Sequence, residues 1–111
     1  PPALQWAVAE GLALPSAWHE AHRARYHAAR ARLVAGLEAA GYAVLANDAT
    51  WFVTLDLAAS GIALDDATFC ERLIPEAGVA AIPFSAFYAQ APLKGYVRLC
   101  FAKSDSTLDA G

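Results

Sequence analysis

The sequence predicts an α+β fold, a mainly antiparallel sheet with helices packed on it. Three observations predict it. The elements read in the order ααββαββα, adjacent strands are joined by short turns, and 58% hydrophobic against 17% charged residues in 111 calls for one packed domain over residues 1–111. Alanine supplies close to half of that hydrophobic fraction, so the large core-forming side chains are no more abundant than in an ordinary small protein. The opening Pro1-Pro2 and the absence of Met lead us to expect a piece of a longer chain.

The first helix is expected from Pro2 to Leu14, with proline in its first turn, Leu4, Val8, Gly11 and Leu12 on one side, and Pro15 as its stop. Ser16 is the expected N-cap of a long second helix. Its apolar and aromatic positions Trp18, His22, Tyr26, Ala29, Leu33, Leu37 and Ala40 advance in steps of three and four, and Gly41 supplies a left-handed end. Tyr42 to Ala46, the Asn47-Asp48 turn signal and Thr50 to Asp56 form a β-hairpin, with Trp51, Val53 and Leu55 alternating against Phe52, Thr54 and Asp56. Asp65 or Asp66 caps a third helix whose stripe is Phe69, Cys70, Leu73 and Ile74, ended by Pro75 and Gly78. Val79 to Ile82 is a short strand closed by Pro83. The aromatic segment Phe84 to Tyr88 and a Pro/Gly loop lead into a strand from Tyr96 to Lys103, and Ser104 begins a last helix.

A net charge of −3 argues against a general nucleic-acid or anionic-membrane surface, since both rely on positive potential. Arg23, Arg25, Arg30 and Arg32 cluster with His22 and His27, and read as a solvated helix face. Cys70 and Cys100 are too far apart for a zinc or redox pair. They read as buried free thiols, which favours a cytoplasmic location. No apolar run is long enough to span a membrane.

One residue breaks the pattern of its strand. Arg98 is the only charge in Tyr96-Val97-Arg98-Leu99-Cys100-Phe101-Ala102, on the face of Tyr96 and Cys100 and opposite Val97, Leu99 and Phe101. An unpaired buried guanidinium is costly, so it must reach water or meet an anion. From the strand alone the simpler reading is an edge-strand arginine extending to solvent; the other is a fork that grips a carboxylate with two parallel hydrogen bonds. The remaining candidates are weaker. Lys94 and Lys103 read as solvated, and His19, His22 and His27 are wrongly spaced for a metal. Asp65 and Asp66 are better explained as caps than as an acid/base pair. Ser85 lacks a nucleophile-elbow context, and no glycine loop suits a phosphate.

Several ordered segments point further. Thr68-Phe69-Cys70 through Leu73, Glu76 to Pro83, Ser85-Ala86-Phe87-Tyr88 and Val97 to Lys103 together resemble the C-terminal part of class I/II pyridoxal-phosphate-dependent aminotransferases, closest to the methionine and kynurenine aminotransferase-like branch. The resemblance covers nearly the whole chain and about the last quarter to third of a family member. It implies the small C-terminal domain of a fold-type-I transferase that acts on amino acids and 2-oxo acids as a homodimer. The pyridoxal 5'-phosphate is then held by a Schiff-base lysine outside these residues. The resemblance makes Arg98 the arginine that binds the substrate α-carboxylate and makes Phe84, Ser85, Phe87 and Tyr88 candidates for a pocket wall. No catalytic, cofactor-binding or metal residue is expected within the chain, which is expected to be inactive alone. Two alternatives remain at this stage: carbon-sulfur lysis on the same fold and cofactor, and a non-catalytic α+β ligand-binding or interaction module.

Overall fold

A computed structural model describes residues 1–111. The order is α1 (Pro2–Leu12), α2 (Ser16–Ala39), β1 (Ala43–Val44), β2 (Phe52–Asp56), α3 (Asp66–Ala77), β3 (Ile82–Pro83), a 3-10 turn (Phe84–Phe87), β4 (Tyr96–Cys100) and α4 (Asp105–Ala110). The strands form one antiparallel sheet in the order β1-β2-β4-β3. In β2 and β4, Val53, Leu55 and Val97 point to one face and are at most 1% exposed. Helices α2 and α3 both cover that face. Cys70 packs with Leu55, Leu57 and Val97, while Ala29 packs with Val53 and Phe101. Each large apolar side chain buried there contributes roughly 2 kcal/mol. The opposite face, bearing Phe52, Thr54, Asp56, Tyr96, Arg98 and Cys100, is met by the 3-10 turn, whose Phe87 ring lies against Arg98.

Local chemistry explains the boundaries. Asp65 accepts a hydrogen bond from the Thr68 amide at 2.8 Å and so caps α3, and Gly78 ends the helix at φ 69°. Ser104 caps α4 through the Thr107 amide, and a bidentate Arg32–Asp109 pair with N···O distances of 2.5 and 2.6 Å fastens α4 to α2. Asn47 organises the loop between β1 and β2: it accepts from Arg30 Nε and donates to the Ala49 and Phe52 carbonyls. Two of the three histidines of α2, His19 and His22, join a ring stack with Trp18 and Tyr26. His22 lies parallel to Trp18 with centroids 5.1 Å apart and meets Tyr26 edge-on at 4.8 Å.

Several expectations are corrected. Ser16 is not a cap; Pro15, at φ −56° and ψ 145°, occupies that position, and Ser16 is the first helical residue. Pro75 does not end α3: the helix runs on to Ala77 although the proline cannot donate to the carbonyl four residues back, and Gly78 ends it. The third strand is Ile82–Pro83 and includes the proline, which is tolerated because β3 lies at the sheet edge. Trp51 precedes β2 and is 60% exposed, although Val53 and Leu55 beyond it are buried. Cys70 is buried as expected, whereas Cys100 is exposed on the opposite face. Helix α1 forms, but its apolar side chains find no partner: Leu4, Trp6, Val8 and Leu12 are each at least 60% exposed.

Candidate functional site

The opposite sheet face converges on Arg98. Its strand is internal, flanked by β2 and β3, with Thr54 and Ile82 directly opposite Arg98. The edge-strand route to solvent is therefore closed. The side chain instead crosses the sheet face between two aromatic rings, with Cζ 3.6 Å from the ring centroid of Phe52 and 4.9 Å from that of Phe87. Both distances suit attraction between a cation and the negative face of a ring, and for Phe52 the approach is close enough for direct contact. Phe52 comes from β2, diagonal to Arg98 in the register, and Phe87 comes from the 3-10 turn after β3.

The hydrogen bonding of Arg98 is incomplete. Its Nε is buried, and it is the one buried side-chain nitrogen or oxygen in the chain without a partner. No carboxylate pairs with the guanidinium: the ion pairs of the chain join Arg32 to Asp105 and Asp109, and Arg72 to Glu76. Rings stabilise positive charge but accept hydrogen bonds poorly, so the planar fork is held in place with its donors unspent. A carboxylate is the anion whose two oxygens match that fork.

The other predicted wall residues surround the same place in different ways. Phe84 is half-buried and meets Phe87 edge-on at 6.4 Å and Tyr96 at 6.2 Å, extending the aromatic surface along the face. Phe87 and Tyr88 are 59% and 42% exposed. Ser85 is brought in by its backbone: its amide donates to Asp66 Oδ2 at 2.6 Å, and its carbonyl accepts from the Tyr88 amide. Two residues at the site were missed from the sequence. Phe52 alternates with buried Val53 and Leu55, a signal that it shares the face of Arg98. Asp66 was read as interchangeable with Asp65, but Asp65 alone caps the helix and Asp66 is 1% exposed. Burial and the Asp66 charge one turn away push the Cys70 thiol up to about 11, so that thiol is not a nucleophile near neutral pH.

Arg98 is half-buried on the sheet face. A groove of about 540 Å³ between α2 and residues 101–105 is lined by Arg25, Tyr26, Ala29 and Phe101 and does not include it. No group of three or more His, Cys, Asp or Glu side chains gathers anywhere. Lys94 and Lys103 are both exposed, and Lys103 lines the rim of that groove. The arrangement can fix and orient an anion.

The family model for aminotransferases of class I and II matches residues 1–111, and the chain belongs to that family. It is 42% identical over 83 residues to a methionine aminotransferase of Escherichia coli, an alignment covering 75% of this chain and 21% of the relative. The solved structure of N-succinyldiaminopimelate aminotransferase from Mycobacterium tuberculosis is similar at a TM-score of 0.81 and 44% identity, over 95% of this chain and 27% of that one. A Thermus thermophilus aspartate aminotransferase structure matches at a TM-score of 0.71 and 36% identity, over 85% of this chain and 24% of that one. The chain thus spans about a fifth to a quarter of the length of these relatives.

Proposed function

We propose that the chain is the C-terminal small domain of a pyridoxal-phosphate-dependent aminotransferase, and that Arg98 grips the α-carboxylate shared by its amino-acid and 2-oxo-acid substrates. The single observation that carries this is the Arg98 guanidinium, fixed between Phe52 and Phe87 with a buried, unpartnered Nε and no ion pair of its own. A structural arginine in the middle of a sheet would have acquired a carboxylate or carbonyl partner, because leaving the donor unmet costs about 1–3 kcal/mol. A substrate carboxylate supplies what the fold withholds.

The cofactor of this family does not fit the residues present. Both lysines are exposed, and neither is held in the apolar surroundings that a Schiff-base lysine needs. Cofactor chemistry therefore belongs to a part of the protein beyond these residues, and the contribution of this domain is orientation. Holding a substrate by its carboxylate removes translational and rotational freedom before reaction, which is a large share of what a positioned site supplies. The bare apolar side chains of α1 suit a domain whose remaining contacts are made by such a part. The wall formed by Phe84, Phe87 and Tyr96 favours an amino acid with an apolar side chain over an acidic one, in keeping with the methionine named for the Escherichia coli relative.

The test is Arg98→Ala in the full-length enzyme. Loss of a bidentate, charge-assisted pair raises KM for amino-acid and 2-oxo-acid substrates together by about a hundredfold, with cofactor affinity unchanged. Methionine exceeds aspartate as amino donor. Product analysis in the same assay finds 2-oxo acid in place of carbon-sulfur cleavage products. Unchanged KM values in Arg98→Ala remove Arg98 from the site.

A further inference from the structure

We infer that Asp66 is a positioning residue for the carboxylate site, holding Phe87 and the strand of Arg98 in register with one another; this rests on the reading of Arg98 above. Asp66 begins α3, yet it is not needed there as a cap, since Asp65 already satisfies the Thr68 amide. At 1% exposure it is the only buried charged residue in the chain, and no lysine or arginine pairs with it. A carboxylate kept in such a place must be satisfied by donors that the fold aims at it.

Those donors identify its work. Oδ1 accepts from the adjacent Ala67 amide at 3.0 Å, while Oδ2 turns away from the helix and accepts from the Ser85 amide at 2.6 Å. The main-chain amide of Asp66 donates to the Lys94 carbonyl at 3.0 Å. One residue therefore ties down both ends of the connection from the 3-10 turn to β4. The side chain fixes Ser85, two residues before Phe87, and the main chain fixes Lys94, four residues before Arg98. Between those ties the connection is open: residues 88–94 are all exposed. The 4.9 Å approach of Phe87 to the guanidinium is made across this span, so it depends on both ends keeping their places.

The chemistry also explains the choice of residue. A charge-assisted bond from an amide to a carboxylate is shorter and stronger than one to a neutral acceptor. Serine at the same position would start the helix equally well but is too short to reach Ser85. When the tie is cut, the Ser85 amide loses its acceptor and the turn moves outward. Phe87 then leaves the guanidinium, and Arg98 gains orientations in which its fork no longer faces one direction. A displacement of this size far from any bond being broken is enough to weaken a positioned substrate.

The experiment uses the full-length enzyme with Asp66→Ala, Asp66→Ser and Asp66→Asn, alongside Arg98→Ala. KM for both the amino acid and the 2-oxo acid rises about fivefold or more in Asp66→Ala and Asp66→Ser, with cofactor affinity and absorbance as in the parent. Asp66→Asn keeps an acceptor oxygen for the Ser85 amide and recovers most of that loss. Asp66→Ser keeps a helix-starting residue and serves if Asp66→Ala does not fold. Folded Ala and Ser variants with KM values within about twofold of the parent overturn the inference, provided that Arg98→Ala raises KM. If Arg98→Ala itself leaves KM unchanged, the carboxylate reading fails and this inference fails with it.

Discussion

Replacing Arg98 by leucine should make the chain more stable while depriving it of its fork. In the folded state the Nε is buried without a partner, a condition that costs about 1–3 kcal/mol. The rings of Phe52 and Phe87, 3.6 and 4.9 Å from Cζ, return about 0.5–2 kcal/mol of that through their attraction for the charge. Leucine removes the unmet donor, keeps apolar contact with both rings and Ile82, and adds no cavity large enough to matter. The balance is a gain of about 1 kcal/mol, or a Tm higher by about 4 °C for a chain of 111 residues. Urea titration and thermal unfolding of the chain, with an unchanged m value, are the assay. A leucine variant less stable than the parent by more than about 1 kcal/mol would refute the reasoning, since Arg98 would then belong to the scaffold. Residues kept at the expense of stability are expected where function requires them.

Other outcomes follow from the same geometry. Iodoacetamide modifies exposed Cys100 rapidly at pH near 8, while Cys70, buried and with its thiol pushed up to about 11, stays unmodified until the chain unfolds; mass spectrometry of the two peptides checks the order. Arg32→Ala releases α4 from α2, seen as faster amide exchange at Leu108 to Ala110. The Arg32 guanidinium holds the Asp109 carboxyl below its ordinary value. Its contribution is therefore fully present at neutral pH and disappears only as pH falls through that depressed value, a loss that the alanine variant does not show. Leu55→Ala, at a position 1% exposed between α3 and the sheet, lowers unfolding free energy by about 3 kcal/mol in urea titration; a loss under about 1 kcal/mol would contradict the assigned core.

What was legible in the sequence was local. Val97, Leu99 and Phe101 alternate against Tyr96, Arg98 and Cys100, and the sheet keeps that division of faces, with Val97 and Phe101 buried. The start of α3 was legible because an aspartate three residues before Thr68 has a defined task, and its end because Gly78 permits a left-handed backbone. What was not legible depended on pairing over distance. Nothing in residues 96–102 says that β3 and β2 flank them, and that pairing alone turns Arg98 from a solvent-reaching arginine into one held between rings. The same pairing puts Pro83 on an edge where its missing amide is harmless. Cys100 lies among apolar neighbours in sequence, yet it is exposed. The Asp65-Asp66 pair held a usable signal. One helix start needs one cap, and the second carboxylate, next to Phe69 and Cys70, required a reason of its own.

The central claim concerns a single contact, the α-carboxylate at the Arg98 fork. The most direct measurement is a structure of the full-length enzyme with a bound substrate or a non-reacting carboxylate analogue. The account predicts two nearly parallel N–H···O bonds of about 2.7–2.9 Å from Arg98 to the two carboxylate oxygens, with Phe52 and Phe87 still flanking the guanidinium. A ligand whose α-carboxylate is bound by other residues, with Arg98 turned to solvent, would contradict it.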